Sequence, residues 1–345
     1  MKQYKLTEYS HGAGCGCKIS PQILSKIIGK KNNQISFPNL LVGNDTRDDA
    51  AVIDLENGTA IVSTTDFFMP IVDDAEDFGR ISAANAISDI YAMGATPIMA
   101  IAILGWTLDK LPPELARLVL EGGQSICHQA KIPLAGGHSI DSPEPIFGLS
   151  VTGKVKITNI KRNSDAKKGD LLYLTKPLGV GIFTTAEKKG KIKKHDIDIA
   201  KKSMLKLNSI GEKIGQYNFV NAMTDVTGFG LLGHLNEVCI ASGVSAIVNF
   251  EKVPLLNKKA MDYYINNNCI PGGTKRNWES YSNDIDVISE YQKQILCDPQ
   301  TSGGLLITVE RSAKAKFEQI ARNNNLELNP LGEIISNEQK NIFIQ

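Results

Sequence analysis

The stretch His11-Gly12-Ala13-Gly14-Cys15-Gly16-Cys17-Lys18 places two thiols and a primary amine among three glycines. Glycine removes the Cβ restraint on backbone angles, so such a segment can fold over a ligand and withdraw from it. Each closure costs ordering entropy, which a purely structural loop has little reason to incur. A cysteine beside a lysine, near free backbone N–H groups, is expected to lean toward thiolate, the form that attacks or binds soft atoms. Structural zinc is a poor fit, because a second ligand pair is needed and no CxxC or HxxxH occurs elsewhere. A Walker A loop is excluded as well, since Ile19 follows Lys18 and the glycine spacing differs. The segment reads as a mobile, reactive lid.

A second set of candidates is acidic. Asp48-Asp49 stand just before an expected strand, Asp66 just after one, Asp89 on a small-residue helix, and Asp225 before a glycine-rich turn. Strand ends are where open sheets present ligand groups. Asn85 and Asp89, four apart on a helix, share a face. Any one of these aspartates could simply cap a helix or turn. Together they form an oxygen-only set suited to a hard cation such as Mg²⁺. A polyphosphate among bare carboxylates would meet repulsion of roughly 4 kcal/mol per close pair at about 4 Å and an effective dielectric near 20. Bridging divalent ions reverse that sign, and Lys18 and Arg47 offer cationic partners for phosphate.

Two glycine motifs sit nearby. Gly228-Phe229-Gly230-Leu231-Leu232-Gly233 matches the dinucleotide GxGxxG pattern, but Asp225 stands where the pyrophosphate-binding strand should be apolar. A helix entry that positions Asp225 is the better reading. Gly136-Gly137-His138-Ser139 follows a short apolar strand and offers backbone N–H groups to a phosphate or ribose. Asp298-Pro299-Gln300-Thr301-Ser302-Gly303-Gly304 is rich in turn formers and reads as a structural turn feeding the strand Leu305–Val309.

The elements that must position these groups alternate irregularly. Helices are expected over Pro21–Lys30, Ala75–Met93, Pro112–Ala130, Gly181–Lys189, Asp196–Ile214 and Phe229–Ala241. Strands are expected over Ala50–Leu55 and Thr59–Thr64, joined by the hairpin signal Glu56-Asn57-Gly58. Others fall at Pro97–Leu104, Ile132–Ala135, Ile146–Val155, Asp170–Leu174 and Asn221–Asp225. The pattern is α+β and not a regular βαβ series. Strand runs ending in Thr65-Asp66 and Thr224-Asp225 hint at two related halves, with the polar stretch 158–169 as a linker. The expected division is a lid over 1–20, an N-terminal domain over 21–157 that carries most of the candidate carboxylates, and a C-terminal α+β domain over 170–345.

Composition bounds the function. The 345 residues are enough for two domains. With 42% hydrophobic and 22% charged residues the chain has the composition of a soluble globular protein. A net charge of +1 offers no general attraction to nucleic acid or acidic membranes. The longest apolar run, Pro97 to Trp106, is too short to span a bilayer, and the first residues carry no hydrophobic signal core. A cytoplasmic location is expected. Six cysteines then read as free thiols, with Cys127, Cys239, Cys269 and Cys297 as small buried hydrophobes.

The lid with Cys15 and Lys18, Gly43-Asn44-Asp45-Thr46-Arg47-Asp48-Asp49, Thr64-Thr65-Asp66-Phe67-Phe68, Asn85-Ala86-Ile87-Ser88-Asp89, Gly136-Gly137-His138-Ser139 and Thr224-Asp225-Val226-Thr227-Gly228-Phe229-Gly230 occur in this order along the chain. The chain thereby resembles, over essentially its whole length, the selenophosphate synthetases (selenide, water dikinases) of the aminoimidazole ribonucleotide synthetase-like superfamily. The resemblance implies a two-domain α+β fold and a homodimer whose N-terminal domains share a barrel. It implies conversion of ATP, selenide and water into selenophosphate, AMP and phosphate. Carried onto this chain, Cys15 and Lys18 would be catalytic, and Asp49, Asp89 and Asp225 would hold Mg²⁺, more than one ion per site. ATP would be bound by Lys18, Thr46, Arg47, Asp48, Asp66, Asp89, Gly137, His138 and Ser139. A monovalent cation such as K⁺ and a selenium-delivery protein are further implied partners. Two rival functions remain at this level: a superfamily synthetase acting on an amide or formyl substrate, and a thiol or metal carrier without turnover.

Overall fold

The computed structural model describes residues 4–19, 21–28, 37–43 and 48–345. After helix α1 (Pro21–Ile28), strands β1 (Leu40–Val42), β2 (Ala51–Asp54) and β3 (Thr59–Phe68) form an antiparallel run. The β2–β3 hairpin turns through Glu56 and Gly58, both at positive φ. Helix α2 (Ala75–Ala92), strand β4 (Thr96–Trp106), helix α3 (Pro113–Gln129) and strands β5 (Leu134–Asp141) and β6 (Ile146–Lys156) complete a six-stranded sheet of order β1-β2-β3-β6-β4-β5. Only β4 and β5 run parallel in it. Helices α2 and α3 pack on one face, which buries the alternate residues Val62, Thr64, Asp66 and Phe68 of β3.

The second half holds β7 (Leu171–Leu174), α4 (Val180–Lys188), α5 (Ile197–Met204), α6 (Ile210–Gly215), β8 (Val220–Asp225), α7 (Gly230–Ser242) and β9 (Ser245–Val248). It continues with α8 (Lys258–Asn266), α9 (Gly272–Tyr281), α10 (Glu290–Leu296), β10 (Leu305–Val309), α11 (Lys314–Asn323), β11 (Gly332–Ile335) and β12 (Ile342–Ile344). Its six strands are ordered β12-β9-β11-β7-β10-β8, again with one parallel pair at an edge, β9 with β12. Alternation with period two splits this sheet between two cores. Leu172, Leu174 and Leu306 face the large core shared with the first half, while Leu171, Tyr173 and Ile307 join Ile214 and Phe317 in a smaller one. The α+β class expected from the sequence is observed.

Several local expectations change. The strand carrying Asp66 extends to Phe68, so Asp66 lies inside β3 instead of after it. The single helix expected over Asp196–Ile214 is two helices, α5 and α6. They are parted where buried Asn208 turns its amide to Ser88 Oγ and the Gly303 carbonyl, both at 2.8 Å. These tertiary bonds outweigh the helical pattern. Strand β5 runs on through Gly136-Gly137-His138-Ser139, which is therefore edge strand and not a loop following one. Segment 158–169 is packed rather than loose. Lys161, Asn163 and Ala166 are buried, and the Lys161 ammonium donates to the Val220 carbonyl at 2.8 Å.

Candidate active site

Helix α2 positions the centre of the site. Its small residues let it lie buried between the first sheet and β8, with Ser82, Asn85, Ser88 and Asp89 all inaccessible or nearly so. Asp89 accepts from Thr64 Oγ1 on β3 at 2.6 Å. Asp49, ahead of β2, accepts from Thr224 Oγ1 on β8 at 2.9 Å. Asp225 ends β8 opposite Leu305. Ligand oxygens of Asp49, Asp89 and Asp225 all lie within 4.8 Å of one another. Carboxylates from both halves of the chain thus converge, as their sequence contexts suggested.

This convergence is electrostatically costly. Burial, then the neighbouring Asp225, holds the Asp49 and Asp89 carboxyls well above the usual carboxylate range. Burial also pushes Asp225 up to about 6, against a Ser88 hydrogen bond and the Lys18 charge. Asp225 Oδ2 is buried and has no hydrogen-bond partner among the described residues. An orphaned carboxylate oxygen beside two more carboxylates fits a divalent cation bound by oxygen ligands.

Asp66 stands apart from that trio. It accepts from the Lys18 ammonium at 3.1 Å and from Asn85 Nδ2 at 2.8 Å. Burial would pull the Lys18 amine down, but Asp66, Cys15, Asp89 and Asp225 outweigh it and hold the ammonium charged. Asp48 turns to the Asn163 backbone N–H at 2.8 Å. Thr46 and Arg47 lie outside the described residues. Gly137, His138 and Ser139 lie along the exposed edge strand. Among the described residues, no hydrogen bond or ion pair joins them to the carboxylates.

The glycine-rich segment 11–18, expected to act as a lid, packs against these groups. Cys15 is buried, within a short 3-10 turn over Gly14–Cys17. Its thiol donates to Asn85 Oδ1 at 3.2 Å, and its backbone N–H donates to Thr301 Oγ1 at 3.1 Å. The expected thiolate character is overturned in this conformation. Burial, with Asp66 adding to it, raises the Cys15 thiol well above its ordinary range, and Lys18 only partly offsets this. His11 pairs with Glu144 at 2.9 Å, and Arg276 donates to the Gly16 carbonyl at 3.0 Å. Gly228 lets the lid approach, since a Cβ there would stand 2.4 Å from the Cys15 carbonyl oxygen. Cys17 is half-buried; Cys127, Cys239, Cys269 and Cys297 are buried free thiols, as expected.

Sequence reasoning missed the segment 298–304. The turn-like composition is genuine, yet residues 298–304 are almost wholly buried against the lid and α2. Ser302 N–H donates to Asn85 Oδ1 at 2.7 Å, so one amide oxygen receives both the loop and the Cys15 thiol. The absence of charged or bulky residues after Asp298 was the one signal for such burial. The GxGxxG stretch is the entry to α7, as read from Asp225. Within the sheet β8 borders β10 alone, antiparallel, with β9, the strand after α7, separated from it by β10, β7 and β11, which excludes the adjacent parallel strand pair of a dinucleotide-binding unit.

An α+β chain with two mixed sheets and a carboxylate cluster at their junction defines a class of protein. Residues 47–155 match the family described as AIR synthase related protein, N-terminal domain, and residues 167–345 match AIR synthase related protein, C-terminal domain. Solved structures share the fold. Thiamine-monophosphate kinase from Stenotrophomonas maltophilia superposes with a TM-score of 0.65 at 18% identity, covering 94% of both chains. The Aquifex aeolicus thiamine monophosphate kinase does so with a TM-score of 0.65 at 16% identity, covering 94% of this chain and 95% of that one.

Within this class the chain belongs to the selenide, water dikinase family. It is 57% identical to the selenide, water dikinase of Yersinia pseudotuberculosis over 341 residues, 99% of this chain and 97% of that protein. Identity to the Aeromonas hydrophila selenide, water dikinase is 56% over 334 residues, 97% and 96% of the two chains.

Proposed function

We infer that this chain uses ATP to phosphorylate selenide, yielding selenophosphate, AMP and inorganic phosphate. The observation that carries the reading is the single hydrogen-bonded network joining buried Cys15, Asn85 and Asp66 to the partly exposed Lys18, beside the Asp49, Asp89 and Asp225 carboxylates. Those three carboxylates would hold Mg²⁺, which when bound neutralises them and draws the phosphates of ATP toward them. Lys18, held charged by Asp66, would meet the transferring phosphate and stabilise its spreading charge. Selenium attacks the γ-phosphorus, forming the P–Se bond as the bond from that phosphorus to the β-bridging oxygen breaks. Water then attacks the β-phosphorus of ADP, and AMP leaves with its bridging oxygen.

Cys15 is a buried thiol that donates its S–H to Asn85 Oδ1, with its pKa raised by burial. A closed lid excludes water from the first transfer and keeps a soft atom beside selenium. Asp48, Thr46 and Arg47 would complete the nucleotide site, with Gly137, His138 and Ser139 contributing from the β5 edge. A homodimer is part of this reading. The sheet face opposite α2 and α3 exposes Ile53, Phe67, Met99 and Ile101, an apolar patch suited to a second copy. No helix among the described residues is long and apolar enough to cross a membrane.

Phosphorus NMR of the protein with Mg-ATP and selenide, under anaerobic conditions, tests the reading. A selenophosphate resonance growing with AMP is expected. ADP as the only nucleotide product would refute it. The Cys15→Ser variant separates this function from an amide or formyl synthetase, which would turn over normally without the thiol.

A further inference from the structure

We propose that Thr301 is the positioning residue for Cys15, and that the buried loop 298–304 is the receptor on which the lid closes. The two residues lie 286 apart in sequence, yet the Thr301 hydroxyl accepts the Cys15 backbone N–H at 3.1 Å with both residues buried. Nothing in the reaction chemistry requires a hydroxyl there, because the proposed metal and phosphate groups lie elsewhere. This inference rests on the reading of residues 11–18 as the catalytic lid.

Three features make the loop a receptor and not merely a neighbour. First, it is rigidly tied to the C-terminal half. The Gln300 backbone N–H donates to the Thr227 carbonyl at 2.9 Å, and its side-chain oxygen accepts from the N–H groups of Gly179 and Val180, each at 3.2 Å. The Lys176 ammonium holds the Ser302 carbonyl at 2.8 Å. Second, it reaches both polar ends of Cys15: the N–H directly, and the thiol through Asn85 Oδ1, which also accepts from Ser302 N–H at 2.7 Å. Third, the fit is close on the lid side. Gly14 has a φ of +51°, and a Cβ there would stand 2.4 Å from Thr301 Oγ1.

The physical consequence is a bias on lid closure. Without the Thr301 oxygen, seating the lid would bury the Cys15 N–H with no acceptor. The simplest relief is for the lid to lift, which exposes the thiol. Burial is also the largest influence raising the thiol's pKa, so lifting increases both access and thiolate fraction. Thr301→Val keeps the shape and removes the hydroxyl; Thr301→Ser keeps the hydroxyl.

The test is the rate at which iodoacetamide alkylates Cys15 in the full-length protein, read from the Cys15 peptide by mass spectrometry. Thr301→Val is expected to react about fivefold faster than wild type, the effect of one net buried hydrogen bond, with Thr301→Ser close to wild type. Selenophosphate formation by Thr301→Val should lose kcat with KM for ATP little changed. Equal alkylation of Thr301→Val and wild type, or a serine variant as fast as the valine one, would overturn the proposal. Gly14→Ala probes the same contact from the lid and leaves the C-terminal half untouched. It should also speed alkylation, and a wild-type rate there counts against the proposal even where Thr301→Val does not fold. Alkylation needs no substrate, so a protein that makes no selenophosphate would sink the proposed function while leaving this result standing.

Discussion

The Cys15 thiol donates to Asn85 Oδ1 at 3.2 Å, and Asn85 Nδ2 in turn donates to Asp66 Oδ2 at 2.8 Å. One buried amide therefore links the lid cysteine to the carboxylate that anchors Lys18. The amide flips neither way without loss: its oxygen serves two donors and its nitrogen a carboxylate.

Replacing Asn85 with alanine removes all of these contacts. Selenophosphate formation is expected to fall about a hundredfold in kcat, consistent with loss of two to three buried hydrogen bonds of about 1 kcal/mol each. Steady-state assays over a range of selenide concentrations check this; an unchanged kcat would show that the amide is a bystander.

Asp225→Asn should stabilise the metal-free protein. It removes a carboxylate whose charge burial disfavours, and with it the repulsion that Asp225 exerts on Asp49 and Asp89, so a gain of about 1 kcal/mol and a rise of about 2–4 °C in Tm are expected. An upward Tm shift with Mg²⁺ is expected of the wild-type chain, and the same substitution should abolish it. Calorimetry with and without Mg²⁺ measures both signs in one series.

Asp298 makes stability fall as pH rises. Burial, opposed by hydrogen bonds from Gln300 and from the Gly181 and Ile182 N–H groups, lifts its carboxyl to about 8 from 3.8. Across that window the native chain keeps a proton that the unfolded chain has released, so unfolding gains in favour as protons become scarce. Asp298→Asn stays neutral throughout and should flatten the slope by a few kcal/mol between about pH 5 and about pH 8. Denaturant unfolding of both proteins at the two pH values decides it, and parallel slopes would reject the assignment.

Gly228→Ala tests the seat of the lid. Its Cβ would fall 2.4 Å from the Cys15 carbonyl oxygen, which is backbone and cannot turn away. Turnover should drop at least tenfold, the equivalent of about 1.4 kcal/mol lost in the closed state. Far-UV circular dichroism should remain that of wild type, because the contact lies between segments and not within an element.

Much of this molecule was legible in one dimension. Hydrophobic periodicity located β2, α2, α3, β6, β7, α7 and β10 to within a few residues, because local burial patterns repeat at 3.6 or 2 residues whatever the partner. Asp49, Asp89 and Asp225 could be singled out by their places before a strand, on a small-residue helix and before a glycine turn. That they meet within 4.8 Å was decided by the packing of α2 between the first sheet and β8. The protonation of Cys15 was invisible for the same reason. Adjacent Lys18 argued for thiolate, but burial supplied by residues dozens to hundreds of positions away carries more weight. Loop 298–304 shows the limit most plainly: its turn-forming composition was readable, whereas its role depends on what it touches, and contact between Thr301 and Cys15 is a property of the folded chain alone.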